Sequence, residues 1–126
     1  MAHRALSSAG APKPIAPYSP GIDAGSIVFV SGQIGADPAT SQLLDGVEAQ
    51  AQRVLENIKA ILDSAGLTLS DVAKTTIFLA DIADFDKVNT VYARHFSDPP
   101  PARSTIQVAA LPRGARVEIE AIAVRG

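Results

Sequence analysis

The segment Lys74-Thr75-Thr76-Ile77-Phe78-Leu79-Ala80 restricts the possible folds more than any other part of the chain. Its β-branched and aromatic content reads as a strand. At the two-residue period of a strand, one face carries Thr75, Ile77 and Leu79, and the other carries Thr76, Phe78 and Ala80. The run Ile27-Val28-Phe29-Val30 is likewise apolar on both faces. Strands buried on one side only should alternate, so a sheet holding these segments is expected to avoid water on both faces. Two helices can cover one face. The other calls for a partner, and the simplest partner is a second copy of the same chain. An oligomer is the expectation.

The covering helices are legible from their period. Val47, Ala51, Val54, Leu55, Ile58, Ile61, Leu62 and Ala65 recur at steps of three and four, which marks one helix face. Asp45 is placed to cap its start, with Glu48 three residues on, and Gly66 to close its end. A second stripe, Phe85, Val88, Tyr92 and Phe96, predicts a shorter helix over residues 84–96, stopped by Pro99-Pro100-Pro101. Residues 10–20 hold four prolines and form an extended loop. Ser26–Val30 reads as a strand broken by the glycines of Ser31-Gly32-Gln33-Ile34-Gly35, and a short strand is expected near residues 3–8. Strands over roughly 103–110 and 115–124, joined at Leu111-Pro112-Arg113-Gly114, read as a hairpin that pairs Gln107 with Glu118. The predicted class is α+β, a sheet with two helices packed on one face, in one domain over residues 1–126.

Composition removes several function classes. The 126 residues include no cysteine, which excludes disulfides and thiolate metal sites. The two histidines, His3 and His95, make no metal-ligand spacing. A net charge of −2 with interspersed signs argues against a nucleic-acid face. No stretch approaches the ~18 consecutive apolar residues of a spanning helix, and Met1–Leu6 lacks the apolar run of a signal peptide. A soluble, cytoplasmic protein is expected. No Gly-x-Ser-x-Gly, phosphate-cradling loop or His-Glu-x-x-His is present.

What remains for chemistry is an arginine, two carboxylates and some hydroxyls. Glu118 and Glu120 are two apart in a strand and so share a face, opposite the core series Val117, Ile119, Ala121 and Ala123. Those glutamates form either a solvated face or carboxylates at a subunit interface, where they must be paired or functional. Arg103, led in by Pro99–Ala102, reads as a structural ion pair or as a fork for a ligand carboxylate. In hairpin register it lies four residues along the sheet from Glu118, so the two would meet only around a small ligand or across a subunit boundary. Tyr18 in the proline loop reads as a packing peg. Ser31 and Gly32 offer a hydroxyl and a backbone N–H, or else shape a bend. His95 suits the end of the second helix.

In order and spacing, Ile15-Ala16-Pro17-Tyr18-Ser19-Pro20-Gly21, Val30–Ile34, Asn57–Leu62, Lys74–Leu79, Val88–Tyr92, Pro101-Ala102-Arg103-Ser104, Ala110-Leu111-Pro112 and Val117–Ala123 resemble the RidA (YjgF/YER057c/UK114) family. The resemblance runs from about Ala11 to Arg125 and is closest to the archetypal branch. It implies a chorismate-mutase-like fold and a homotrimer with sites between neighbouring subunits. The implied activity is cofactor-free and metal-free hydrolysis of 2-aminoacrylate-type enamines and imines to 2-keto acids and ammonia. Position by position, Arg103 resembles the clamp on the substrate carboxylate and Glu118 the acid that positions or activates water. Tyr18 and Ser31 resemble the pocket tyrosine and serine, and Gly32 the backbone N–H donor. Two departures stand out: Thr105 replaces a common cysteine, and the connection from Asn89 to Arg103 is short. The competing readings are a trimeric small-carboxylate binder without turnover, RNA cleavage or translation inhibition (disfavoured by the acidic charge), and a deaminase for larger ring-derived enamines.

Overall fold

The helical period that starts at Val47 becomes α1, Val47–Asp63, in a computed structural model that describes residues 3–126. Every residue of its apolar stripe is buried, Ala65 included. The start differs from expectation. Gly46, at φ 90° and ψ 147°, holds the position before the helix, and no side chain caps it. Asp45 is one residue too early, and the chain enters through a left-handed conformation that glycine adopts without a Cβ penalty. The end is as expected. Gly66 sits at φ 75°. Its N–H bonds Asp63 O, and the Leu67 N–H bonds Leu62 O, the paired bonds of a Schellman end.

The strands are β1 (Arg4–Leu6), β2 (Gly21–Asp23), β3 (Ile27–Ile34), β4 (Val72–Leu79), β5 (Ala102–Gln107) and β6 (Val117–Val124). They form one mixed sheet in the order β1-β2-β3-β6-β4-β5. The first three strands make an antiparallel meander. β6 lies antiparallel between β3 and β4, so the crossover from β3 through α1 to β4 leaves a slot that the last strand fills. The second helix, α2 (Phe85–Tyr92), connects β4 to its parallel neighbour β5. α1 and α2 pack against each other on one face, over Val28, Val30, Thr75, Ile77, Leu79, Val117, Ile119, Ala121 and Ala123, all buried. Mixed sheet, two helices on one face and connectivity agree with the chorismate-mutase-like class.

Two features depart from expectation. β5 and β6 are not a hairpin: β4 lies between them, with Thr75 paired to Arg103 on one side and to Ala121 on the other. The hairpin reading used the nearest partner in sequence. The chain instead passes over the end of β4, where Val108 N–H bonds Leu79 O and Ala80 N–H bonds Arg116 O. The second helix ends at Tyr92 rather than residue 96, because the Arg94 and His95 N–H groups turn back on Val91 O and Tyr92 O in three-residue bonds. Phe96 still packs on Tyr92, with ring centroids 4.6 Å apart. His95 Nδ1 lies 3.0 Å from Val91 O, at the helix end where a histidine was expected.

The face away from the helices is open. Ile27, Phe29, Ile106 and Val124 on it are 37%, 45%, 47% and 42% exposed.

Candidate active site

Local structure at Ser31 and Gly32 shapes the first half of the site. Val30 pairs with Ala121 and Gln33 with Ile119, so two residues of β3, Ser31 and Gly32, face the single Glu120 of β6. This β-bulge re-aims the strand: Gln33 replaces residue 32 on the core side, and Ile34 comes opposite Glu118 on the open side. Ser31 also ties the proline loop to the sheet. Its hydroxyl donates to Ser19 O at 2.6 Å, and its N–H donates to Pro20 O at 2.9 Å. Tyr18, half exposed, is thereby held over the bulge.

The result is a cavity of about 450 Å³ whose lining includes Tyr18, Ser31, Gly32, Glu118, Glu120 and Arg113. Gly32 has no room for a side chain, because a methyl group there would overlap the Glu118 carboxylate. Burial pushes the Glu118 carboxyl above its ordinary range, and the charge of Glu120 adds to the shift. A carboxyl of raised proton affinity, in one cavity with a phenol, a serine and a bulged backbone, is suited to exchanging a proton with a small ligand. Behind this half, two buried amides of α1 hold the floor. Asn57 Nδ2 donates to Ala36 O at 3.1 Å, while Gln50 Nε2 donates to Leu44 O and its Oε1 accepts from Arg116 N–H.

Arg103 lies elsewhere. Its partner in the register is Thr75, on the helix-covered face, whereas Glu118 pairs with Phe78 on the open face. Its guanidinium donates to Asn89 Oδ1 at 2.6 Å and lies 4.9 Å from the Tyr92 ring centre and 5.5 Å from that of Phe85. Tyr92 is fixed in turn by a 2.7 Å hydrogen bond between its hydroxyl and Thr75, which is 1% exposed. A second cavity, of about 540 Å³, opens beside Arg103 between Asn89, Tyr92, Phe96 and Pro101.

Four of the five candidate residues, Tyr18, Ser31, Gly32 and Glu118, therefore meet in one cavity of a single chain, and Arg103 does not join them. Sequence reasoning missed the surroundings of Arg103. Phe85, Asn89 and Tyr92 are spaced i, i+4, i+7, which puts them on one face of α2. Phe85 belongs to the apolar stripe by its period, yet it is 37% exposed. The polar Asn89 at the intervening turn is the signal that this stripe serves a charged neighbour. Glu120, which shares the open face with Glu118, lines the same cavity. Among the described residues, no group of three or more His, Cys, Asp or Glu side chains is arranged to hold a metal ion. Likewise, no helix there is long and apolar enough to cross a membrane.

The endoribonuclease L-PSP family model matches residues 8–125. Protein DfrA of Myxococcus xanthus is 56% identical over 127 residues, covering 98% of this chain and 97% of the relative. The human 2-iminobutanoate/2-iminopropanoate deaminase is 46% identical over 127 residues, covering 100% of this chain and 93% of the enzyme. Among solved structures, E. coli TdcF with bound serine superposes with a TM-score of 0.93 at 44% identity, covering 98% of this chain and 99% of that one.

Proposed function

The chain belongs to the endoribonuclease L-PSP family, which is the YjgF/RidA family, and from that membership we propose that it is a deaminase hydrolysing 2-aminoacrylate-type enamines and imines to 2-keto acids and ammonia. The observation that carries the reading is the Glu118 cavity, where a carboxyl whose proton affinity is raised by burial lies with Tyr18, Ser31 and Gly32. Curated relatives at 46–49% identity named 2-iminobutanoate/2-iminopropanoate deaminase support the reaction class.

The chemistry asks little of the protein. An enamine that gains a proton at carbon becomes an iminium ion, the protonated imine, whose C=N carbon is electrophilic. Water adds to that carbon. Glu118 takes the water proton and passes it to nitrogen, ammonia leaves, and the remaining hydroxyl proton is lost as the keto group forms. Arg103 forks the substrate carboxylate through two parallel N–H donors. The C–O bond that forms and the C–N bond that breaks need only proton transfer and positioning, with no change of oxidation state overall, so the scheme uses no cofactor. Because Arg103 and Glu118 occupy opposite faces of one sheet, the complete site takes Arg103 from one copy and the Glu118 cavity from its neighbour. The apolar open face is the surface on which copies associate, as a homotrimer. We also take the chain as one domain acting in the cytoplasm.

A binding role without turnover is the second reading, favoured by the structural relative solved with serine. RNA cleavage fits poorly with a cavity that presents two glutamates.

The test is a coupled assay in which a serine/threonine dehydratase generates 2-aminoacrylate and keto-acid release is followed with and without this protein. Faster release, lost in Arg103→Ala and Glu118→Gln, is expected. No acceleration with several amino-acid-derived imines, alongside measurable carboxylate affinity, selects the binder.

A further inference from the structure

Four of the seven arginines are paired with carboxylates. Arg4 and Arg125 pair with Asp23, Arg53 with Glu56, and Arg116 with Asp84. Arg103 is held differently, by one amide oxygen and the faces of two aromatic rings. The distinction has a chemical consequence. A carboxylate partner would occupy the fork that a ligand carboxylate needs, whereas ring faces attract the cation without using its N–H donors. Asn89 takes a single donor of the five, and the rest of the fork stays free for a ligand.

We propose that Phe85 and Tyr92, with Tyr92 anchored by Thr75, form a clasp that positions the Arg103 guanidinium before a carboxylate ligand arrives. Three observations converge on it. Phe85, Asn89 and Tyr92 follow one another about a turn apart on one face of α2, so the helix presents ring, amide and ring to the same side chain. Thr75 is the β4 residue paired with Arg103, so a single strand register fixes both the arginine and the hydroxyl that holds the Tyr92 ring. Tyr92 is 6% exposed and packs on Phe96, which leaves its ring little freedom. Ordering a long arginine side chain costs conformational entropy, and the clasp meets that cost at folding rather than at binding.

The inference rests on Arg103 as the carboxylate clamp, and the experiment separates the two. KM and kcat for the imine, and Kd for 2-oxobutanoate by calorimetry, are measured for Tyr92→Leu, Phe85→Leu, Tyr92→Phe and Arg103→Ala, each after a thermal melt. A positioning role raises KM and Kd about tenfold in Tyr92→Leu and about threefold in Phe85→Leu, with kcat within about twofold. Tyr92→Phe, which keeps the ring and loses only the anchor, recovers most of that loss. Phe85 is 37% exposed, so its variant folds even where Tyr92→Leu does not. Unchanged KM and Kd in a folded leucine variant, with both raised in Arg103→Ala, overturn the clasp and leave the clamp standing. Unchanged values in Arg103→Ala overturn both.

Discussion

At Gly32 the absence of a side chain is a packing requirement, since a Cβ would meet the Glu118 carboxylate. The backbone there is not in the left-handed region, so the cost of a substitution comes from the contact and not from strain. Gly32→Ala is expected to push the Glu118 carboxyl aside and lower kcat/KM on the order of 100-fold, because small misplacements of reacting groups are expensive. Its melting temperature should change little, the bulge itself being retained. Steady-state kinetics beside a thermal melt separates this from a folding defect. Glu118 carries a second prediction. Burial first, and the Glu120 charge second, raise its carboxyl above the ordinary range. The folded chain then binds that proton more tightly than the unfolded chain, so stability is greatest below the ordinary carboxyl range. It falls as pH rises through the raised value. Glu118→Gln cannot ionise and escapes the loss. Its melting temperature should exceed that of the unaltered chain at neutral pH and converge with it below about pH 4, while activity disappears. A lower melting temperature at neutral pH would show that ionised Glu118 is stabilised by a partner.

Asp23 shows what holds elements together at the edge of the sheet. Its carboxylate accepts from Arg4 of β1 at 3.0 Å, from Arg125 just past β6 at 2.8 and 2.9 Å, and from the Gly25 N–H at 3.0 Å. Arg125 also donates to Ala65 O, so the cluster joins β1, β2, the end of β6, a turn and the end of α1. The Arg125 hydrogen bond, then the Gly25 N–H, hold the Asp23 carboxyl well below the usual carboxylate range, against the opposing effect of burial. The stability it contributes is present above the ordinary carboxylate range and is lost as pH falls towards the depressed value. Asp23→Asn should lower the melting temperature by several degrees at pH 7 and flatten its decline below about pH 4, as a pH series of melts would show. Legibility also divides by element. α1 and the core faces of β3, β4 and β6 were readable because burial imposes a period over eight or more residues. β2, three residues long, is too short to show one. The β5–β6 error arose because pairing is a long-range choice: sequence proximity suggests a hairpin, but β4 offered two free edges. For the site, the pattern located Glu118 on a non-core face, whereas roles for Tyr18, Ser31 and Gly32 came from resemblance. The bulge that unites them depends on register and leaves no period to detect.

Across the whole molecule, the open sheet face and the separation of Arg103 from Glu118 are two aspects of one arrangement. Ile27, Phe29, Ile106 and Val124 lie exposed on the same face as Glu118 and Glu120, while Arg103 faces the helices at the β5 edge. Covering the apolar face with another copy buries these side chains, and each such residue is worth about 1.5–3 kcal/mol when fully buried. Phe29→Glu should therefore shift the solution mass by analytical ultracentrifugation from oligomer to monomer, and remove activity with it. An unshifted mass would show that another surface joins the copies. Composition of the site needs a different test, since a monomeric variant loses activity whichever copy supplies Arg103. Arg103→Ala and Glu118→Gln are each expected to be inactive as pure proteins. When they are mixed in equal amounts, unfolded and reassembled together, a site regains both groups only where an Arg103-intact copy meets a Glu118-intact neighbour in the right order. For random assembly into a closed ring that happens at about one site in four, so about a quarter of the unaltered activity should return. If both groups come from the same copy, no mixture can restore a site, and activity stays at the level of the separate variants. The quarter is the same for any closed ring, so ring size must be read from mass, and the recovered activity speaks only to how the site is shared.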